Sequence, residues 1–458
     1  MTTTIIHPTQ LSMRRIFNTW WPLAASWVLM GLELPVVSAV IARLGNQEID
    51  LAAYGGIIFP LALIIEAPVI MLLAASTALC GDWDSYVKVR RFMMVAGASL
   101  TALHVLVAFT PLYYLVVEGL MGATPDVVEP ARIGLMIMTP WTWSIAYRRF
   151  NQGVLIRFEH SGSVGIGTVV RLGTNWLILA TGAIFGSIPG IVVGATAVAV
   201  GVVCEAVYIG IRVRPVLEYQ VMPAPSPPEP LTLRSFLSFY IPLAMTSLLM
   251  LLALPIGSAA LFRMPSASQS QAVWPVISGL IFMLRSMGVA YNEVVVALLK
   301  EPFSSHNLRR FAGWLAGLTS GGLTLIAITP LSFLWFDKFS GLDPELSTLG
   351  QSALWLALLI PALSVLQSWF QGAIVYGQRT RGITEAVVIY LMTFGLLSTA
   401  GVLWGRTTGL YVGLTTLTIS MLVQTLWLWY RSRAVIYVVR ERDSGGVEPG
   451  PAGVAASD

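Results

Sequence analysis

The residues of this sequence that could do chemistry are charged side chains inside long apolar stretches. Four are acids and four are bases: Glu33, Glu66, Glu205 and Glu293, with Arg148, Arg149, Arg171 and Arg285. A charge near the centre of a bilayer costs on the order of 2.5–3.5 kcal/mol on insertion scales, so such groups face a bundle interior or water. Carboxylates placed there can bind a cation or a proton, and guanidinium groups can bind carboxylates or phosphates. The sequence therefore predicts sites for a coupling ion or a charged solute.

Glu66 stands two residues before Pro68, and a proline frees backbone carbonyls on the preceding helical turn. A carboxylate beside free carbonyls could take part in cation binding. The alternative for Glu66, and equally for Glu33, is a structural ion pair with an arginine. The sequence leaves both interpretations open.

The first half of the chain is unusually basic inside its apolar stretches. Its polar residues are Arg148, Arg149, Asn151 and Gln152 in one stretch and Arg171 and Asn175 in the next. Arg171 and Asn175 are four residues apart and share a helical face, which suits an anionic group. The alternative is that the paired arginines lie nearer the membrane surface and only anchor their helix.

A second polar face is predicted in the other half of the chain. Arg285, Asn292 and Glu293 lie on roughly one side of a helix and could line a polar cavity, or Arg285 and Glu293 could form a structural pair. Gln371 is a further candidate, because the pair Gln371-Gly372 repeats Gln152-Gly153.

Composition sets the fold class. The chain has 458 residues, of which 56% are hydrophobic and 11% charged, whereas a soluble protein carries about 25% charged residues. Runs of about 20 apolar residues recur along it, long enough to cross a bilayer as helices, and they lack the alternation of a barrel. We predict an all-α integral membrane protein with twelve transmembrane helices, at roughly 16–44, 53–80, 90–121, 131–157, 164–186, 189–212, 233–263, 270–300, 308–336, 348–376, 383–405 and 408–436.

The two halves of the chain are diverged copies. The stretch from Trp20 to Leu44 returns 220 positions later, with Pro35 matching Pro255, and residues 150–157 match 369–376 at an offset of 219. An even number of spans per copy makes the two lobes parallel repeats. The predicted organisation is a six-helix lobe at 1–213, a proline-rich cytoplasmic linker at 214–232, a six-helix lobe at 233–438 and a disordered tail at 439–458.

The distribution of lysine and arginine predicts the orientation. With the amino terminus inside, eighteen of the 27 fall in inner segments, five in outer segments and four within helices. Such a bias follows the positive-inside rule and predicts cytoplasmic termini in a plasma or inner membrane. The first residues carry no cleavable signal pattern.

Other functional classes lack their motifs. The three lysines follow Val87, Leu299 and Asp337, so none completes a phosphate-binding loop. Asp82-Trp83-Asp84 resembles the DxD of membrane glycosyltransferases, but no large catalytic domain follows it. We therefore expect a non-enzyme that binds no nucleic acid and needs no cofactor or metal, is monomeric in the lipid bilayer and carries a small-molecule solute.

Several short stretches resemble a known superfamily. They are ARLGNQEIDLAAYGG at 42–56, RRFNQGVLIRFEHSGSVGIGTVVRL at 148–172, MMVAGASLTALH at 93–104 and WWPLA at 20–24. The first two resemble the opening pattern and the passage from helix four to helix five of MATE proteins, in the multidrug/oligosaccharidyl-lipid/polysaccharide (MOP) exporter superfamily. LAAYG at 51–55 and the last two stretches are most similar to its progressive ankylosis branch.

The resemblance implies a secondary active exporter, an antiporter that uses alternating access and a proton or sodium gradient. Its alternatives are a flippase for lipid-linked oligosaccharide or another lipid diphosphate, and a membrane-embedded transferase using Asp82 and Asp84. One departure concerns the coupling acid of helix one. Cation-coupled MATE proteins typically carry it six residues before the arginine, where this chain has Val37, and Glu33 is the nearest acid. Glu33 matches Ala253 in the second half, so this acid belongs to the first lobe alone.

Overall fold

The protein, seen in a computed structural model, is described for residues 11–225, 230–377 and 381–444, and these segments are almost entirely helical. We label the long helices in chain order: α1 Met13–Ile41, α2 Gln47–Leu79, α3 Trp83–Phe109, α4 Pro125–Ile137 with Thr139–Arg157, α5 Ser161–Phe185, α6 Gly190–Val221, α7 Leu233–Phe262, α8 Ala267–Leu298, α9 Ser305–Ile328, α10 Pro344–Tyr376, α11 Arg381–Trp404 and α12 Gly409–Asp443. Short helical turns at Leu112–Leu120 and Leu331–Phe339 follow α3 and α9. The predicted all-α fold of twelve long helices is confirmed.

Eleven of these helices are long and apolar enough to cross a membrane, by length and composition. The remaining one is α4, whose segment Thr139–Arg157 contains Arg148, Arg149 and Gln152. Burial explains how such a polar helix is tolerated, because Arg148 is 6% exposed and Gln152 is 2% exposed. The least apolar helix is therefore an interior one.

Two predicted boundaries are wrong. The linker predicted at 214–232 begins as helix, since α6 continues to Val221. The tail predicted at 439–458 also begins as helix, since α12 continues to Asp443. The Asp443 side chain accepts hydrogen bonds from the backbone N–H groups of Phe303 and Ser305 at 3.0 and 2.9 Å. These bonds cap the start of α9 and hold the end of α12 against it. The tail from 445 onward lies outside the described residues.

The structure explains why the repeat offset changes along the chain. At the starts of α2 and α8, Asp50 and Ser270 accept hydrogen bonds from the first turns of α6 and α12, which fixes an offset of 220. Helix α2 then contains a π-helical segment, Ala53–Ile58, whereas α8 is α-helical throughout. A π-turn accommodates one extra residue, so every later position of the first lobe pairs with the second lobe at 219.

Close helix contacts confirm the offset of 219 beyond the π-turn. In the first lobe Gly153 packs against Leu73 and Ser76, and in the second lobe Gly372 packs against Asn292 and Val295. The residue numbers of matching partners differ by 219, for Leu73 and Asn292 as for Ser76 and Val295. Residues of the two lobes can therefore be compared position by position.

Gly153 allows a close approach of α4 to α2, which yields a first prediction. A Cβ added at Gly153 would lie 1.9 Å from the Ser76 hydroxyl and 2.3 Å from the Leu73 carbonyl oxygen. We expect Gly153→Ala to destabilise the protein by about 1–3 kcal/mol, because the backbone of α2 must move. Reversible unfolding in mixed micelles measures this, with Gly165→Ala, where nothing lies within 4 Å, as the control. Equal stability of the two variants would contradict the predicted packing.

The apolar core differs between the two ends of the bundle. We call the end that holds Arg15, Glu301 and Asp443 the terminal face, since the start of α1 and the end of α12 meet there, and the opposite end the far face. Towards the far face a single core includes residues of both lobes. Towards the terminal face the core divides into one cluster for each lobe. The lobes are thus joined at the far face and separate at the terminal face.

The terminal halves of α1 and α7 are exchanged between the lobes. Helix α1 is broken at Leu32, and its first half packs in the second lobe, where Trp20 Nε1 donates to the Met287 carbonyl at 2.9 Å. Conversely, the first half of α7 packs in the first lobe, where Tyr240 Oη donates to the Pro68 carbonyl. Each lobe therefore contains a half-helix whose other half belongs to the opposite lobe.

At the far face two arginines bind across the lobe boundary in a reciprocal way. Arg43, at the end of α1, donates to the Lys338 carbonyl of the second lobe at 2.6 Å. Its repeat partner Arg263, at the end of α7, donates to the Met121 and Leu120 carbonyls of the first lobe at 2.8 and 2.7 Å. We call this pair of contacts the far-face latch.

The latch depends on two glycines. Gly341 and Gly122 adopt φ of +70° and +71°, and a Cβ there would lie 2.9 and 3.1 Å from the guanidinium carbons of Arg43 and Arg263. Glycine suits both the left-handed backbone and the close approach.

Candidate functional site

The interior of the first lobe holds a connected network of charged side chains. At its centre Glu205, fully buried on α6, accepts hydrogen bonds from Arg148 Nη1 at 2.5 Å and from Gln152 Nε2 at 3.0 Å. Arg148 and Gln152 are four residues apart on α4 and therefore face Glu205 together. The interpretation of Arg148 as a surface anchor is wrong, since this side chain is buried.

Arg171 extends this network to α1. Its Nε lies 3.2 Å from Glu205 Oε2, and its Nη1 donates to Glu33 Oε2 at 2.5 Å. Asn175 Nδ2 donates to Glu33 Oε1 at 2.6 Å, so Arg171 and Asn175 do share the predicted face. Glu33 directly follows the break in α1, and both of its oxygens are occupied. Of the two interpretations of Glu33, the structural ion pair with an arginine is the one that the structure shows.

Glu66 on α2 is placed differently from the other two acids. It is 3% exposed, Oε2 has no hydrogen-bond partner, and no arginine or lysine of the described chain lies within 4 Å. The positive charges that interact electrostatically with the Glu66 carboxylate are Arg148 and Arg149 on α4. Arg149 Nε is likewise buried without a partner. This interior network thus involves three acids and three arginines, of which Glu66 and Arg149 form no ion pair within the described chain.

The same positions in the second lobe are mostly neutral. At the offset of 219, Arg148 corresponds to Gln367 and Glu205 to Gln424, and Gln367 Nε2 contacts Gln424 Oε1 at 3.2 Å. An amide pair therefore replaces the ion pair. Arg171 corresponds to Tyr390 by the same offset.

Two positions of the second lobe are distinctive. Asn175 is replaced by Phe394, so the polar contact with α1 has no counterpart there. Glu66 corresponds to Arg285, so one pair of matching positions carries opposite charges.

The remaining predicted site residues are not brought together. Glu293 is exposed and forms no ion pair with Arg285 within the described chain, so the predicted structural pair is wrong. Asn292 Nδ2 donates to the Ser368 carbonyl at 3.2 Å, and Asn151 Nδ2 to the Tyr147 carbonyl at 2.9 Å. Gln371 is half-buried. Within the described residues none of these three amides hydrogen-bonds to a charged side chain of the network.

The DxD residues have local structural roles. Asp82 caps the start of α3 by accepting from Ser85 N at 3.1 Å, and Asp84 pairs with Lys88 at 2.5 Å on the surface. The described part of the chain contains no cluster of three or more side chains of the kinds that bind metals. In this structure the two aspartates thus make a helix cap and a surface ion pair.

Sequence reasoning missed the second-lobe residues Gln367, Gln424 and Tyr390. The signal was present, because each lies 219 positions after a charged residue of the first lobe. Arg43 and Arg263 were not singled out as site residues either, although both copies have an arginine at this position.

Comparison with known proteins gives similarity of structure only. No protein-family model matches the sequence, and no curated protein matches it. The solved structures include a multidrug resistance MATE family transporter of the MOP superfamily in an inward-facing conformation, with TM-score 0.69 and 15% identity over 92% of this chain and 99% of that chain.

Two further structures are similar over nearly their whole length. An outward-facing MATE family transporter has TM-score 0.64 and 15% identity over 94% of this chain and 97% of that one. A MOP superfamily transporter from Pyrococcus furiosus, for which a reverse polarity of the binding pocket is described, has TM-score 0.60 and 16% identity over 93% and 97%. The chain is an integral, multi-pass membrane protein with the fold of MATE family transporters of the MOP superfamily.

Proposed function

We propose that the protein is a secondary active transporter that moves a small organic solute by alternating access. The observation that carries this proposal is the divided core. Two repeated lobes share one apolar core at the far face, and each has its own core at the terminal face. Such lobes can rock about a central region and open each end in turn. The higher TM-score with the inward-facing transporter supports the same arrangement.

The proposed orientation follows the positive-inside rule. The terminal face would be cytoplasmic and the far face external, so this structure would be open to the cytoplasm and closed outside by the far-face latch. Transport would be directed outward across the plasma membrane. The proposal also includes membership of the progressive ankylosis branch and a monomeric state. It further includes an amphiphilic or anionic solute.

Glu66 is the acid we propose for coupling to a proton gradient. Glu33 and Glu205 are held by arginines, and protonating either one would disrupt ion pairs. A proton on Glu66 would break no ion pair, and the acid lies where the shared core ends, between Ala62 and Val69. Rocking of the lobes would expose this position to each face of the membrane in turn.

Proteoliposomes with an imposed pH or sodium gradient test the proposed function. When the pH or sodium gradient is present, we expect the wild-type protein to accumulate a solute against the concentration gradient of that solute. Glu66→Gln should bind the solute but reduce pH-driven uptake to the rate seen without a gradient. Glu293→Gln, at an exposed acid outside the network, is the matched control. Equal pH-driven uptake by wild type and the Glu33→Gln, Glu66→Gln, Glu293→Gln triple variant would refute acid coupling.

A flippase for a lipid diphosphate is the second candidate. The observation in its favour is the concentration of arginines in the first lobe, since guanidinium groups bind phosphates well. Movement of a labelled lipid diphosphate between leaflets, with no accumulation of soluble compounds, would favour the flippase. Consumption of a sugar donor would instead support the transferase that uses Asp82 and Asp84.

A further inference from the structure

We propose that Arg285 is a binding site for the anionic group, a carboxylate or phosphate, of the transported solute. This inference rests on the proposed transport function and names the substrate class for it. The first observation concerns its partners. Arg285 Nε is buried without a hydrogen-bond partner, and no carboxylate of the described chain pairs with the guanidinium. The titratable side chain that interacts electrostatically with the Arg285 guanidinium is Tyr390 on α11.

The repeat explains why Arg285 is left without an acid. In the first lobe the buried arginines have Glu205 at the centre of their network. Arg285 matches Glu66 and not one of these arginines, while Glu33 and Glu205 correspond to Ala253 and to Gln424, which contacts Gln367. None of the three acids is therefore repeated in the second lobe. Neutral side chains cannot balance a guanidinium charge, so the second lobe contains a cation for which the described part of the chain supplies no counter-charge.

Arg285 lies on α8 beside α1, the helix whose two halves belong to different lobes. On α8 it lies between Phe282, which packs against Gly31, and Met287, which accepts the hydrogen bond from Trp20. These are contacts between α8 and the first half of α1, which packs in the second lobe. Arg285 is also where the cores change, since Leu284 packs on the shared core and Met287 on the second-lobe core.

Charge balance points to an anion. In the first-lobe network the acids Glu33, Glu66 and Glu205 equal Arg148, Arg149 and Arg171 in number, whereas Arg285 pairs with no carboxylate of the described chain. An uncompensated charge in the membrane interior is costly, and a bound monoanion would neutralise it through paired hydrogen bonds. Arg285 is only half-buried, so a ligand can reach it.

A matched pair of probes tests this site in the purified full-length protein. Both carry the same phenylalkyl group, and one ends in a carboxylate while the other ends in a trimethylammonium. We expect the carboxylate to raise the melting temperature of the wild type. Arg285→Gln should raise its Kd about tenfold or more, because hydrogen bonds to charged groups are lost. Arg285→Lys should retain part of the affinity.

The control is Arg433→Gln, which makes the same change at an exposed arginine stacked on Trp429 and Tyr430 of α12 and should leave carboxylate binding unchanged. Charge reversal by Arg285→Glu should transfer the preference to the trimethylammonium probe, which loss of stability alone cannot do. Unchanged carboxylate binding in Arg285→Gln, or tighter binding of the cation by wild type, would overturn the proposal.

Two further arms identify the source of the anion and separate the two proposals. In nanodiscs with an isoprenyl diphosphate, binding that depends on Arg285 while soluble carboxylates fail would make a lipid headgroup the source. Carboxylate binding through Arg285 without uptake into liposomes would leave the anion site standing and refute transport. Uptake that is unaffected by Arg285→Gln would leave transport standing and refute the anion site.

Discussion

Replacing Glu205 with alanine is expected to destabilise the protein by about 3–5 kcal/mol, the cost of removing one partner from a buried ion pair. Glu205 is fully buried and is the shared acceptor of Arg148 and Gln152, with Arg171 in contact. Its loss leaves Arg148 without a counter-charge, and Arg171 keeps only Glu33. Reversible unfolding in mixed micelles, followed by tryptophan fluorescence, measures the change.

The second lobe supplies the control for this experiment. Gln424 occupies the position of Glu205 and contacts Gln367, so Gln424→Ala removes neutral hydrogen bonds at the same place and should cost about 0.5–1.5 kcal/mol. The double variant Arg148→Gln, Glu205→Gln recreates the amide pair in the first lobe and should recover most of the lost stability. If Glu205→Ala costs no more than Gln424→Ala, the ion pair is not what stabilises this network.

The fold could be predicted from the sequence because its signals are local and repeated. Apolar runs of spanning length gave the helices, and Pro35 with Pro255 identified the two lobes. The ends of α6 and α12 were predicted too early, because polar residues there were interpreted as loops. At the end of α12, Asp443 bonds instead to the start of α9, a contact that the sequence does not reveal.

The site could be predicted only as a set of residues. Charges in apolar stretches identified Glu33, Glu205 and Arg171, but their pairing joins three helices and depends on how those helices rotate and pack. The relation between Glu66 and Arg285 requires the offset of 219, which applies only after the π-turn in α2. The sequence showed both offsets, and the structure was needed to locate the change between them.

Replacing Arg43 and Arg263 together with alanine should shift the protein towards a conformation that is open at the far face. Each guanidinium donates to carbonyl groups of the opposite lobe, and each hydrogen bond to a charged group contributes about 1.5–3 kcal/mol. If about 2.8 kcal/mol of this hydrogen-bond free energy is present in one conformation and absent in the other, the ratio of their populations changes about a hundredfold.

Spin-label distances at symmetry-related positions measure this shift. Labels at Ser187 and Arg406, exposed on the far face, should move apart, while labels at Arg91 and Arg310, exposed at the terminal face, should approach each other. The free cysteines Cys80 and Cys204 are replaced first.

The control for the latch is Arg132→Ala, which removes a far-face arginine whose bonds to Tyr114 and Ala108 remain within the first lobe. Because those bonds are the same whichever end of the bundle is open, this change should leave both distances as in the parent protein. Each single latch variant should produce part of the shift, since the two arginines bridge the boundary in opposite directions. Far-face distances that stay unchanged in the double variant would mean that the latch is not what closes this end of the molecule.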